Sequence, residues 1–235
     1  MSKGARSMIR KYMVTVLGYG AALGLGLCTV AGLARAHDAD LSKVMGSIDV
    51  APGEHVGDVS TINGSIRIGA DAIVHEASTV NGGLRLETRA TASQLKTSNG
   101  GIDVREGAHV TGDIHTINGG LHVDDGADVS GDVANINGGI HVAGGHVGGS
   151  ITSTNGGIDL GPNAHIDGDV TMKRDHSVHS ARQSIPRVVI EPGTVVKGTL
   201  RFEREVRLYV SDRATIGPVE GAQPVKFSGD HAPSD

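Results

Sequence analysis

The chain has 235 residues, 36 of them Gly, no Trp and only 2% aromatics, so any core is built from Val, Ile, Leu and Ala rather than from large rings. A hydrophobic content of 38% is too high for a disordered chain, and the glycines follow no Gly-X-Y period, which excludes collagen. The net charge of −5 is unevenly placed along the chain.

The first segment is a leader. Lys3, Arg6, Arg10 and Lys11 form a basic start, an apolar run follows from Tyr12 to Leu33, and Ala34-Arg35-Ala36 offers a small-x-small cleavage site before His37. That is the layout of a secretory signal peptide over 1–36. The alternative is an uncleaved membrane anchor, in which case the membrane is met only through this segment. A lipoprotein reading at Cys28 conflicts with Leu27, where a small residue is needed. Cleavage after Ala36 removes five basic residues and the only cysteine, leaving 16 basic against 26 acidic residues, a net charge of −10. Such a surface argues against nucleic acid and anionic membrane as partners. An exported chain of this kind folds without disulfides, and its expected location is the periplasm, the cell surface or the medium. Residues 37–43 read as a short linker.

From residue 44 the sequence repeats. Asn-Gly recurs at Asn63, Asn81, Asn99, Asn118, Asn137 and Asn155, with spacings of 18, 18, 19, 19 and 18. Each copy is followed by Gly or Ser and then an aliphatic-polar-aliphatic triplet, such as Ile66-Arg67-Ile68 or Leu121-His122-Val123. The triplets alternate with period two, as a half-buried strand does, and Gly and Asn supply the bends. No helical period follows the leader. Identical residues at identical points of each unit predict an all-β, single-stranded parallel β-solenoid rather than a meander of hairpins. Its span is 44–222, with about eight or nine coils of 18–19 residues and the handedness left open. The expected inward side chains of one coil are Ile102, Val104, Val110, Ile114 and Ile117.

The same pattern returns from Leu160 to Val170 and from Ile190 to Leu200, an offset of 30 residues. The difference is read as a 12-residue exposed insertion within about 172–187. The last coils hold rare bulky residues, Phe202, Leu208, Tyr209 and Val210, which are candidates for an end-coil cap or a subunit contact. Residues 223–235 read as a flexible tail.

Stacking turns each repeat position into a row. The Asn row is expected to be structural, its amides bonding to one another. The row Thr61, Thr79, Thr97, Thr116, Asn135 and Ser153 reads as a polar surface row, and a single decaying row is a poor ice-binding surface. Asp58, Glu76, Gln94, Asp113, Asp132, Ser150 and Asp169 form an acidic row that could hold cations, but Gln and Ser interrupt it. His55, His109, His146 and His165 share one position, and His122 and His141 share another with Asp and Arg. No catalytic, cofactor or metal residue stands out. There is no Cys nucleophile in the mature chain and no serine in a nucleophile elbow.

The stretches 160–170 and 190–200, Leu-Gly-Pro-Asn-Ala-His-Ile-Asp-Gly-Asp-Val and Ile-Glu-Pro-Gly-Thr-Val-Val-Lys-Gly-Thr-Leu, resemble the winding motif of bactofilins. The Asn-Gly-Gly-aliphatic units are similar to bacterial putative-adhesin β-solenoids. The first resemblance implies polymer formation by stacking of coil ends. Bactofilins are cytoplasmic, so a leader departs from that family. The expected function is a non-enzymatic, exported structural or adhesin-like solenoid of the cell envelope that self-associates. The alternatives are a surface module binding divalent metal or glycan through the Asp and His rows, and a bactofilin-type scaffold if the leader stays attached.

Overall fold

The computed structural model describes residues 39–175 and 185–233. Residues 1–38, which include the expected leader, residues 176–184 of the insertion and residues 234–235 lie outside the described residues.

The described chain is a parallel β-solenoid with no helix among those residues. Each coil has three sides. The triplets form a ten-stranded parallel sheet, from Ile48–Val50 to Pro224–Phe227, so there are ten coils. A second side holds two-residue strands such as His109–Val110, and a third holds strands such as Val59–Asn63 and Ile114–Asn118. Ten coils stacked at about 4.8 Å give a rod of roughly 48 Å.

The corner between the second and third sides shows how sequence sets shape. Most coils carry Gly there, at Gly112, Gly131, Gly149 or Gly168. A Cβ on Gly112 would lie 2.6 Å from the carbonyl oxygen of Ser93 in the coil below. Two coils have His75 and Ser93 at this point instead. There the chain does not bend, and both sides run together as nine-residue strands, Ile73–Asn81 and Thr91–Asn99. These two strands join sides two and three into a single 17-stranded sheet.

The core is aliphatic throughout. In one coil Ile102, Val104, Ala108, Val110, Ile114 and Thr116 are all fully buried. Ile117, expected inside, is 36% exposed. Period-two alternation explains the exchange: Ile114 points in, His115 out, Thr116 in and Ile117 out. The row of Thr61, Thr79, Thr97, Thr116, Asn135 and Ser153 is therefore buried rather than a surface row. Burial of these hydroxyls is tolerated because each has a carbonyl partner. Thr79 donates to Gly64 at 2.9 Å, Thr97 to Gly82 at 2.9 Å and Thr116 to Gly100 at 3.0 Å. Asn135 and Ser153 make the same kind of bond, to Gly119 and to Gly156.

Both ends differ from expectation. Of the expected linker 37–43, residues 41–43 do not stay outside the fold, because Leu41–Met45 pairs in parallel with Val59–Asn63. Its residues satisfy the same ladder as the later coils, with Met45-Gly46 standing where the next six coils have Asn-Gly. Of the expected tail 223–235, the described residues 223–233 are not free either. Pro224–Phe227 pairs with Arg207–Ser211, and Phe227 is buried. Beyond it, Arg213 holds Asp230 at 2.5 Å and Arg187 donates to the carbonyl of Pro233 at 2.7 Å. The insertion preserves register: Ile158 pairs with Val188 and Met172 with Phe202. From Ser153 to Ile158 the chain advances five residues and from Met172 to Val188 sixteen, so the extra length is eleven residues, not twelve. The remaining residue belongs to a 19-residue coil.

Replacing Thr116 by Val keeps the shape and removes the bond to Gly100. The denaturant midpoint is expected to fall by the equivalent of about 1 kcal/mol. Ile117→Thr, at the adjacent outward position, is expected to cost under about 0.5 kcal/mol. The reverse order would contradict the assigned facing of this strand.

Candidate functional site

The conspicuous rows turn out to bond along the rod. Asn81 Nδ2 donates to Asn63 Oδ1 at 2.8 Å, and Asn99, Asn118, Asn137 and Asn155 continue the chain at 2.9–3.0 Å. Every bond runs the same way. The far end sets that direction. Arg204 is a donor only, and it donates to Asn155 Oδ1 at 3.0 Å. The Asn155 Nδ2 is then left for Asn137 and for the carboxylate of Asp175, also at 3.0 Å. Asn155 is thus fixed, and each lower amide is oriented by the one above it.

The acidic row works on the backbone. Asp40 Oδ1 accepts the N–H of Asp58 at 2.9 Å, Asp113 that of Asp132 at 2.9 Å, and Asp132 that of Ser150 at 2.7 Å. Ser150 Oγ accepts from Asp169, whose carboxylate accepts from Thr199 at 2.7 Å. Stacked carboxylates repel, and these N–H groups offset the repulsion without a cation. Among the described residues no group of three or more His, Cys, Asp or Glu side chains is placed to hold a metal ion.

The histidines meet acids that the row reading had not singled out. Asp128 is in register between His109 and His146. One of its oxygens lies 2.7 Å from His109 Nδ1, and the other bonds His146 Nδ1. His146 Nε2 faces Asp167 at 3.3 Å, Asp167 also lies 3.3 Å from His165, and Lys197 sits 2.7 Å from it. Both ring nitrogens of His146 face carboxylates, so the geometry suits the doubly protonated imidazolium. The bond to Asp128, reinforced by Asp167, raises the pKa of His146 against a smaller desolvation effect. Lys197 and then His146 lower that of Asp167. Asp128 holds the repeat position of His109 one 19-residue unit later, so the Asn-Gly spacing alone would have stacked the two. Asp167 lies two residues past the row and had no such signal.

On the triplet face His122 lies 3.6 Å from Asp103 and His141 3.2 Å from Asp159, with the two imidazole centroids 5.9 Å apart. Gly83, Gly101, Gly120, Gly139 and Gly157 run beside this row and leave an open, shallow trough. Arg85 pairs with Asp103 at 3.1 Å and Arg67 with Glu87 at 2.7 Å, so most of its charges are already matched.

The end-coil candidates separate. Phe202, Leu208 and Val210 are buried inside the last coils and present no contact surface. Tyr209 is partly exposed, with the Arg187 guanidinium 5.0 Å from its ring centre. No family model, curated protein or solved structure matches this chain.

The His146 bridge makes stability depend on pH in a defined direction. Its folded pKa is raised from 6.5, so the stabilisation is complete below the unfolded value and is lost as pH rises through the folded one. The stability advantage of the parent over His146→Gln is expected to be larger at about pH 6 than at about pH 9 in denaturant titrations. An advantage that grows with pH would contradict the bridge. The bridge is more than a third exposed, which keeps the effect modest.

Proposed function

We propose that this chain is a non-enzymatic structural or adhesin-like rod of the cell envelope, exported by its leader and released by cleavage after Ala36. The observation that carries the reading is the use made of the repeated polar rows. The Asn, Thr and Asp rows direct their polar atoms at neighbouring coils. Repetition of this kind serves length and stiffness, and it leaves the outward side chains to set contacts. The absence of cysteine from residues 37–235 fits a fold whose cohesion comes from stacking alone.

The two ends bear differently on self-association. At the C-terminal end, Pro224 removes a donor from the last strand, Lys226 adds a charge, and Arg213 and Arg187 hold the following residues in place. Such features oppose edge pairing. At the other end, Leu41–Met45 and Ile48–Val50 each have one strand partner among the described residues. Association by coil ends is therefore proposed at the first coil.

Fractionation with N-terminal sequencing tests the reading. The chain is expected to begin at His37 and to be recovered outside the cytoplasm. A chain that begins at Met1 in the cytoplasmic fraction would contradict export and favour a bactofilin-type scaffold.

A further inference from the structure

The exposed aliphatic side chains are not scattered. Val44, Met45, Ile62, Val80, Ile117 and Ile136 are six of the nine large hydrophobic residues exposed among those described. All six fall on one edge of the rod. Met45 stands at the foot of the Asn row, in register with Asn63. The other five occupy the outward position just before that row, in register from coil to coil. Val44 is 67% exposed, Met45 79% and Ile62 46%. Ser98 interrupts the stripe at the fourth coil, and Thr154 ends it at the seventh. The next outward row on this side is short and weakly charged, with Ser42, Ser60, Ser78 and Ala134 around Lys96 and His115. The triplet face, by contrast, carries Arg67, Arg85, Asp103 and Asp159.

We infer that two copies of this chain pack side by side through this third face, with the aliphatic stripe at the centre of the contact. Spacing and size both identify the occupant as a second copy. The stripe is a row of knobs repeating at the strand separation of about 4.8 Å, and a second copy carries the same repeat on its own surface. Five-residue strands span about 17 Å and six coils about 29 Å, so each copy offers about 500 Å². The pair buries about 1,000 Å², which reaches the lower bound for a specific interface. An exposed aliphatic stripe of this length is also uncommon on a chain that stays monomeric.

The order of residues selects the arrangement. With a twofold axis between the third and fourth coils, Val44 faces Ile136 of the other copy, Ile62 faces Ile117, and Val80 faces Ser98. Aliphatic groups then meet aliphatic groups at four of six positions, and the contact closes as a dimer. A dimer of this geometry leaves both coil ends free, so it is separate from the end association proposed above.

The test uses the full chain carrying Cys28→Ala, which removes the only native cysteine. Ile62→Cys combined with Ile117→Cys is expected to give, under mild oxidation, at least about five-fold more covalent dimer than Ile62→Cys alone or than the paired triplet-face variant Arg67→Cys with His141→Cys. In sedimentation equilibrium, Ile62→Asp with Ile117→Asp is expected to weaken association at least about ten-fold. Its thermal transition should stay in place, because both side chains point outward. Equal cross-linking yields from all three cysteine variants would overturn the inference, as would a monomeric parent. A dimer untouched by the Asp variants would also overturn it, and would leave end association standing.

Discussion

Everything in this molecule depends on axial register. Each coil must return its chain to the same azimuth one strand separation higher. Only then does every carbonyl of one coil meet the N–H groups of a neighbouring coil, as in Gly64 to Asn81 and Gly82 to Asn99. That requirement fixes the composition. Where two coils touch at a corner, a Cβ on Gly82 would fall on the carbonyl of Gly64, so the residue after each Asn is Gly. It also accounts for the near absence of aromatics, since an interior shared by three short sides is filled by one layer of Val, Ile, Leu and Ala per coil.

Register also decides what the polar residues do. In an ordinary domain, repeated Asn, Thr and Asp residues would invite a search for a ligand. Here the Asn amides bond to one another, the Thr hydroxyls to Gly carbonyls and the Asp carboxylates to N–H groups of the adjacent coil. The Asn chain is directional because Arg204 fixes its last member, and the Asp row replaces backbone partners lost where the chain turns. The His146 bridge belongs to the same pattern, with the difference that its bonds require a proton. What remains for recognition is the set of outward positions that do not bond along the axis. Among these the aliphatic stripe is the least compatible with water.

The coil period, the three-part unit and the parallel pairing were legible because Asn-Gly marks the same point of six successive units. The facing of side chains was less so. Thr116 and Ile117 are adjacent, and hydrophobicity favours the wrong one as the core residue; alternation counted from Ile114 gives the right one. The ends were misjudged because Met45 stands where the next six coils have Asn, and Pro224–Phe227 lies beyond the last clear repeat, while the ladder needs only an extended backbone. Phe202, Leu208 and Val210 were open to two uses, a cap or a subunit contact, and all three are buried within the last coils. Asp167 escaped notice because its partner lies one coil away and two positions out of phase.

The most direct test of the register account compares two deletions. Excising eleven residues from 173–186 restores the five-residue step found in the preceding coil. Deleting His115 alone shifts one strand by a single residue and moves its inward set outward. Circular dichroism and thermal melting of both variants should show the eleven-residue deletion retaining the β spectrum and a cooperative transition near that of the parent, while the single deletion loses several kcal/mol, roughly the cost of exposing two or three buried aliphatic groups. A single deletion tolerated as well as the loop excision would contradict the claim that register governs this fold.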